Sequence, residues 1–359
     1  MVLKKKLLIV NKAQFGYHID TYYYCKFLSN EYDITYFCFD EKKEKMVLDN
    51  VNVIYCSYDY NFFIRSIMFF YVLANKYYSL KPNIVLIKYF TGSLLSLSFM
   101  KRSKIIIDIR TACVSSSSEK RKRKDKILKF ETSFFKNITV ISEGLKKHLN
   151  LKESAKVISL GSIQISPKEK NYESIKLLYV GTFENRKIEV TIESVAKFVK
   201  EISSNISYQI VGFGSNQDIE LIKRTIKDNN LQSIVKFEGR VCVDSLQKYF
   251  DDNNTGVAYI PITDYYAHQP PTKIFEYAMS GLITIATNTI VNETLISNKN
   301  GVLCMDNVND FYEALKKVNN NLSSYNYHKI VNSLEDYHWK NIIGNQLNPL
   351  LKKILDDAV

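Results

Sequence analysis

The sequence contains six cysteines (Cys25, Cys38, Cys56, Cys113, Cys242 and Cys304) but no Cys-x-x-Cys pair, and no histidine at metal-ligand spacing beside them. This absence argues against a disulfide framework or a zinc site and predicts reduced, mostly buried thiols in a cytosolic chain. Long apolar runs are missing too. The basic start MVLKKKLLIV has only four consecutive apolar residues after its lysines, which reads as a first β-strand and not as a signal peptide. The most membrane-like segment, Phe62 to Ala74 (FFIRSIMFFYVLA), is shorter than the ~20 residues of a spanning helix and contains Arg65. It is expected as a core helix, with shallow interfacial contact as the alternative. No zinc-finger spacing, RNA-recognition signature or DNA-reading helix is present, and neither a short-period repeat nor a low-complexity segment occurs.

What is present is enough chain for two domains: 359 residues, 46% of them hydrophobic, predict two lobes with a core in each. The net charge of +12 is uneven. Residues 1–170 hold 30 Lys and Arg against 15 Asp and Glu, whereas residues 171–359 hold 19 against 22. The densest basic run, EKRKRKDKILK from Glu119 to Lys129, suits an anionic partner, whether nucleic acid, a phospholipid headgroup or a pyrophosphate-bearing lipid, and the missing nucleic-acid motifs disfavour the first. A solvated loop and helix start is the alternative.

Apolar runs at Lys6–Val10, Asp33–Phe39, Val51–Tyr55, Ile84–Ile87, Lys104–Ile109 and Ile138–Ile141 predict strands, separated by helical spacing at Thr21–Ser29 and Ser93–Phe99. A polar interval, Ser162 to Ser174, has the composition of a linker. A second alternation follows. Strands are expected at Ile175–Val180, Tyr208–Gly212, Val235–Phe237 and Thr255–Tyr259, with helices at Glu189–Ile202, Asp218–Asn229 and Val243–Phe250. Both halves therefore predict an α/β, Rossmann-like parallel sheet covered by helices, with ligands beyond the carboxyl ends of the strands and a cleft between facing domains. The expected boundaries are 1–170, 171–335 and a closing segment 336–359.

The most informative stretch is PITDYYAHQPPTKIFEYAMSGLITIAT, Pro261 to Thr287. Pro270 and Pro271 open a helix without losing a needed backbone donor, so Thr272 and Lys273 fall in its first turn, where free N–H groups and the dipole attract phosphate. Glu276, a turn inside, suits hydroxyl groups such as those of a ribose. Gly281 caps the helix and Leu282 to Ala286 reads as a buried strand. An ordinary strand, loop and helix would look similar.

Three successive strands of the second half end in glycine. Gly181 is followed by Arg186 and Lys187, two cations suited to a diphosphate whose charge grows on bond cleavage. Gly212 and Gly214 form a GxG that a tight turn would also explain. Gly239, with Arg240 and Val241, offers backbone groups to a base edge. In the first half, His18 (FGYHID) follows the first strand and is suited to take a proton from a hydroxyl, or merely to hydrogen-bond its loop. Asp108 and Arg110 stand at another strand end, reaching the ligand side or pairing with each other.

This array, VGTFENRK (180–187), VGFGS (211–215), VKFEGR (235–240) and PPTKIFEYAMSG (270–281), resembles the GT-B glycosyltransferases, and among them glycosyltransferase family 4. The resemblance is strong over 175–355, including the closing YHWKN (337–341), and in the first half rests on strand order and ISEGLKKHL (141–149). It implies a retaining sugar transfer from a nucleotide diphosphate sugar, with Arg186 and Lys187 on the diphosphate, Glu276 on the ribose and Gly239 to Val241 at the base. It departs from the family at Thr182, where a cation is common, and at His268, where a first glutamate is common. Asp264, Tyr265 and His268 are then candidates for the donor sugar. No DxD-like pair stands at a strand end, so no metal cofactor is expected. The implied acceptor is a glycan or polyprenyl-pyrophosphate-linked molecule at the inner face of a membrane, in bacterial surface polysaccharide synthesis. The same architecture serves nucleotide-sugar epimerases, and a non-catalytic nucleotide-sugar-binding protein is the reading outside enzymes.

Overall fold

The computed structural model describes residues 3–357 except 114, 116, 264, 265 and 267–270. It forms two units, Met1–Leu160 with Trp339–Val359, and Gly161–His338.

The first unit contains β1 (Lys5–Val10), α1 (Ile19–Leu28), β2 (Tyr32–Asp40), β3 (Val51–Ser57), α2 (Phe62–Leu80), β4 (Ile84–Lys88), β5 (Ile105–Ile109), α3 (Ser118–Ser133), β6 (Asn137–Val140), α4 (Glu143–His148) and β7 (Lys156–Val157). Its sheet is wholly parallel, in the order β3-β2-β1-β4-β5-β6-β7. Leu7 to Val10 and Ile105 to Ile109 are buried without a break, because a parallel strand covered by helices on both faces has no solvent side. The strand order reverses between β1 and β4, which opens the sheet at their carboxyl ends.

The second unit contains β8 (Ile175–Thr182), α5 (Ile188–Glu201), β9 (Ile206–Phe213), α6 (Asn216–Asp228), β10 (Val235–Gly239), α7 (Leu246–Asp252), β11 (Thr255–Ala258), α8 (Thr272–Met279), β12 (Ile283–Thr287), α9 (Asn292–Leu295), β13 (Gly301–Cys304), α10 (Val308–Asn320) and α11 (Tyr327–Asn332). The parallel order is β10-β9-β8-β11-β12-β13, so its reversal lies between β8 and β11. The chain then returns to the first unit through α12 (Trp339–Ile342) and α13 (Asn348–Asp356). There Trp339, 1% exposed, stacks on Tyr23 at 5.6 Å and meets Tyr24 edge-on at 5.9 Å. Asn348 accepts from the Tyr32 hydroxyl at 2.9 Å and donates to Glu31 at 2.8 Å.

Five expectations need correction. The polar interval after Ser162 is no free linker: the amides of Ile165 and Ser166 donate to Ser280 Oγ at 3.1 and 3.2 Å, and Ser162 N–H donates to the Tyr337 carbonyl at 2.9 Å. The boundaries therefore fall at 160/161 and 338/339, not at 170/171 and 335/336. Ser93–Ser98 is a 3₁₀ segment begun by left-handed Gly92. The basic run is the body of α3, whose N-cap Ser117 accepts from Lys120 N–H. Finally, α2 is not a core helix. Only Phe69 and Leu73 are buried along it, while Phe63, Ile67 and Tyr71 are 77%, 68% and 62% exposed, because apolar residues surround the helix and only one side meets the sheet. Among the described residues, no helix is long and apolar enough to cross a membrane.

Candidate functional site

In the second unit, β8 pairs with β11 only at Leu177 and Leu178, against Thr255 and Gly256. Beyond these the strands part. The Val180 N–H, left without a strand partner on that side, donates to the Tyr277 hydroxyl of α8 at 3.0 Å. Gly256 makes this possible: a Cβ there would stand 2.2 Å from the Tyr277 ring. The buried tyrosine thus holds α8 over the gap between β8 and β11.

A cavity of about 270 Å³ opens at this gap, lined by Gly181, Thr182 and Arg186 after β8, by Tyr259 after β11, and by Thr272 and Lys273 at the start of α8. Pro271 is the N-cap of α8, with φ −67° and ψ 130°, so the free amides of the first turn lie where the dipole attracts an anion. The Tyr259 hydroxyl is buried and has no hydrogen-bond partner among the described residues. Its ring lies against Phe311 of α10, centroids 5.8 Å apart.

The structure separates residues that the sequence grouped. Arg186 lines the cavity, its guanidinium bonded to the Tyr266 hydroxyl and 4.6 Å from that ring's centroid. Lys187 is the exposed first cap of α5 and does not line the cavity. Asn185 and Lys187 both take left-handed backbone, with φ 56° and 54°, so this loop stores local strain of the kind concentrated at functional sites. Lys273 is ion-paired with Glu276 one turn on. Gly212 does not line the cavity: a Cβ on it would lie 1.8 Å from the Gly181 carbonyl oxygen. Gly214 similarly packs on Phe183 and Asp218. Gly239 is left-handed at φ 69°, ending edge strand β10, and Arg240 lies 5.0 Å from the Phe213 ring; with Val241 they stand outside the cavity lining. Asp264, Tyr265, His268 and Pro270 lie outside the described residues.

Tyr277, Gly256 and Tyr259 went unread in the sequence. Tyr277 directly follows Glu276, and the small Gly256 in an apolar strand was its only other trace.

In the first unit, the β1/β4 opening carries a second group. Arg110 donates to Asp20 at 2.8 Å and to the Ile158 carbonyl at 2.6 Å, while Asp108 accepts from Thr139 at 2.7 Å. Arg110 and Asp108 are 6% and 1% exposed, and burial pushes the Asp108 carboxyl up against the pull of Arg110. Arg110 thus takes Asp20 as its nearer acidic partner, with Asp108 at 3.9 Å. His18 is the N-cap of α1, and its buried Nδ1 has no partner among the described residues. Burial, with Lys88 beside it, lowers its pKa to about 4, so the ring is neutral at pH 7. A cavity of about 200 Å³ at this opening is lined by Lys88, Tyr89 and Arg110 and by Lys124 and Asp125 of α3. Among the described residues, no group of three His, Cys, Asp or Glu is placed to hold a metal ion.

Residues 174–321 match the sequence profile of the family Glyco_trans_1_4, glycosyl transferases group 1. No curated protein sequence matches the chain. Among solved structures, the chain is similar to sucrose-phosphate synthase from Thermosynechococcus elongatus (TM-score 0.78, 15% identity, covering 99% of this chain and 100% of that one). It is also similar to Anabaena HepE in complex with UDP (0.73, 11%, 97% and 100%) and to a glycosyltransferase from Rickettsia africae (0.68, 15%, 99% and 99%). The fold is that of the GT-B glycosyltransferases.

Proposed function

We propose, from the match of residues 174–321 to the group 1 glycosyl transferase profile, that the second unit binds a nucleoside diphosphate sugar and that the sugar is transferred to a hydroxyl with retention. The observation that carries this reading is the cavity at the β8/β11 opening, where Arg186, Lys273 and the first turn of α8 converge. Those groups suit a diphosphate. HepE, a structural neighbour, has been solved with UDP and with UDP-glucose, which favours a uridine donor. Glu276, released from Lys273, would receive the ribose hydroxyls, and Lys187 would turn inward to a phosphate oxygen.

In the proposed step the bond from the anomeric carbon to the departing diphosphate oxygen breaks, and the acceptor oxygen bonds to that carbon on the same face. The acceptor proton passes to the diphosphate. Arg186, Lys187 and Lys273 neutralise the charge that develops there, so turnover is proposed to need no metal. His18, neutral at pH 7, is assigned to accept a hydrogen bond from the acceptor hydroxyl and orient it, while the proton itself goes to the diphosphate. The acceptor is proposed to be a glycan on a polyprenyl pyrophosphate, reached from the cytoplasmic face of a membrane in bacterial surface polysaccharide synthesis.

The test is ligand-induced thermal stabilisation with UDP-, GDP-, ADP- and CDP-sugars, since a ligand bound only by the folded state raises its apparent stability. A shift with one base that disappears in Arg186→Ala and Lys187→Ala supports the donor site. No shift with any of the four overturns it.

A further inference from the structure

The side of the first unit formed by α2, the 3₁₀ segment Ser93–Ser98 and α3 carries exposed apolar rings without a covering element among the described residues. On α2, Ile64, Ile67, Tyr71 and Tyr78 recur at i, i+3, i+7 and i+14, one stripe of a 3.6-residue helix, and Phe63 flanks it; all are exposed. On α3, Ile127, Phe130 and Phe134 repeat the i, i+3, i+7 spacing, Phe130 being 61% exposed and edge-on to Phe134 at 5.2 Å. Leu95 is exposed between them.

These elements are tied into one surface. Phe70 of α2 lies 6.3 Å from Phe90, and two residues later the Gly92 N–H donates to Glu131 of α3 at 2.9 Å. At the other end, the Tyr77 hydroxyl accepts from Lys101 N–H at 3.2 Å, and its ring is 6.4 Å from Phe99.

Charge selects the occupant. The first three turns of α3 hold Lys120, Arg121, Lys122, Arg123, Lys124 and Lys126 against Glu119 and Asp125, and α2 has Arg65 and Lys76 with no acidic residue. A second copy would bring the same positive sign to the contact and be repelled. An anionic bilayer attracts it, and amphipathic Tyr and Phe side chains favour the headgroup boundary.

We infer that the α2 and α3 face docks the first unit on an anionic phospholipid surface, Ile67, Tyr71 and Phe130 entering the headgroup boundary while the α3 cations meet lipid phosphates. This deepens the membrane-side part of the proposed function and rests on it for its purpose, but its test is independent of donor binding.

The full chain is floated with phosphatidylcholine vesicles and with phosphatidylcholine vesicles containing phosphatidylglycerol. Flotation is expected only with the second, weakening as salt rises. The triple variant Lys122→Gln, Arg123→Gln, Lys126→Gln should lower partitioning by about a hundredfold. The variant Ile67→Ser, Tyr71→Ser, Phe130→Ser should also reduce it, and what binding remains, carried by charge alone, should be lost as salt rises. Every changed residue is exposed, and retained thermal stabilisation by the donor nucleotide reports that each variant is folded. Absence of flotation at low salt overturns the inference, as does equal flotation of wild type and both variants. A dimer seen by light scattering without vesicles, and lost in the apolar variant, reassigns the face to a second copy. Flotation without any nucleotide response leaves this face standing and removes the donor reading instead, with circular dichroism then reporting the fold.

Discussion

The hydroxyl of Tyr277 accepts the backbone N–H of Val180 at 3.0 Å, where β8 has lost its pairing with β11. This one bond closes the ladder at the edge of the cavity and ties α8, whose first turn carries Thr272 and Lys273, to β8.

Tyr277→Phe leaves the Val180 donor buried and unpaired at nearly constant packing. The expected loss is about 1–3 kcal/mol, read by chemical denaturation of the second unit. Donor affinity should fall with it, because α8 is no longer tied to β8. An unchanged unfolding midpoint would show that another group satisfies Val180.

Glu276→Gln breaks the pair with Lys273. That pair is partly exposed, so stability should change by less than about 1 kcal/mol. If Glu276 instead serves the ribose, UDP should bind roughly tenfold to a hundredfold more weakly, as expected for a hydrogen bond to a charged group. Titration calorimetry that finds equal affinity in both proteins removes Glu276 from the site.

His18 gives a pH dependence. Its pKa falls from 6.5 to about 4 on folding, so the unfolded chain binds the proton first as pH drops. Its contribution is complete above pH 6.5 and is lost between 6.5 and about 4. The stability difference between wild type and His18→Gln should shrink over that window by on the order of 3 kcal/mol, and equal slopes for the two proteins would contradict the buried neutral ring.

Gly212→Ala places a methyl against the Gly181 carbonyl, 1.8 Å away before relaxation. Strand β9 must shift, at about 1–3 kcal/mol for overpacking. Thermal melts should show the loss without ligand, since the glycine serves strand packing and not donor contact.

The parallel strands were legible because burial on both faces writes them as unbroken apolar runs, as in Leu7–Val10 and Ile105–Ile109. The start of α8 was legible from Pro271, Thr272 and Lys273 for the same local reasons that form it. What stayed hidden depends on direction in space. Arg186 and Lys187 are neighbours in sequence, yet only Arg186 lines the cavity, since the left-handed backbone at Lys187 turns the chain there. The aromatic run of α2 looked like core because composition records how many apolar residues a helix has, not how many of its sides the sheet can reach. The Tyr277–Val180 bond spans 97 residues, beyond any local pattern.

The return of Trp339–Val359 to the first unit also orders events at the ribosome. The second unit has all its strands in hand while the first still lacks the indole that fills the space beside Tyr23 and Tyr24. A nascent chain therefore completes its later half before its earlier one, and must carry the earlier sheet, with that aromatic surface open, through the synthesis of everything between.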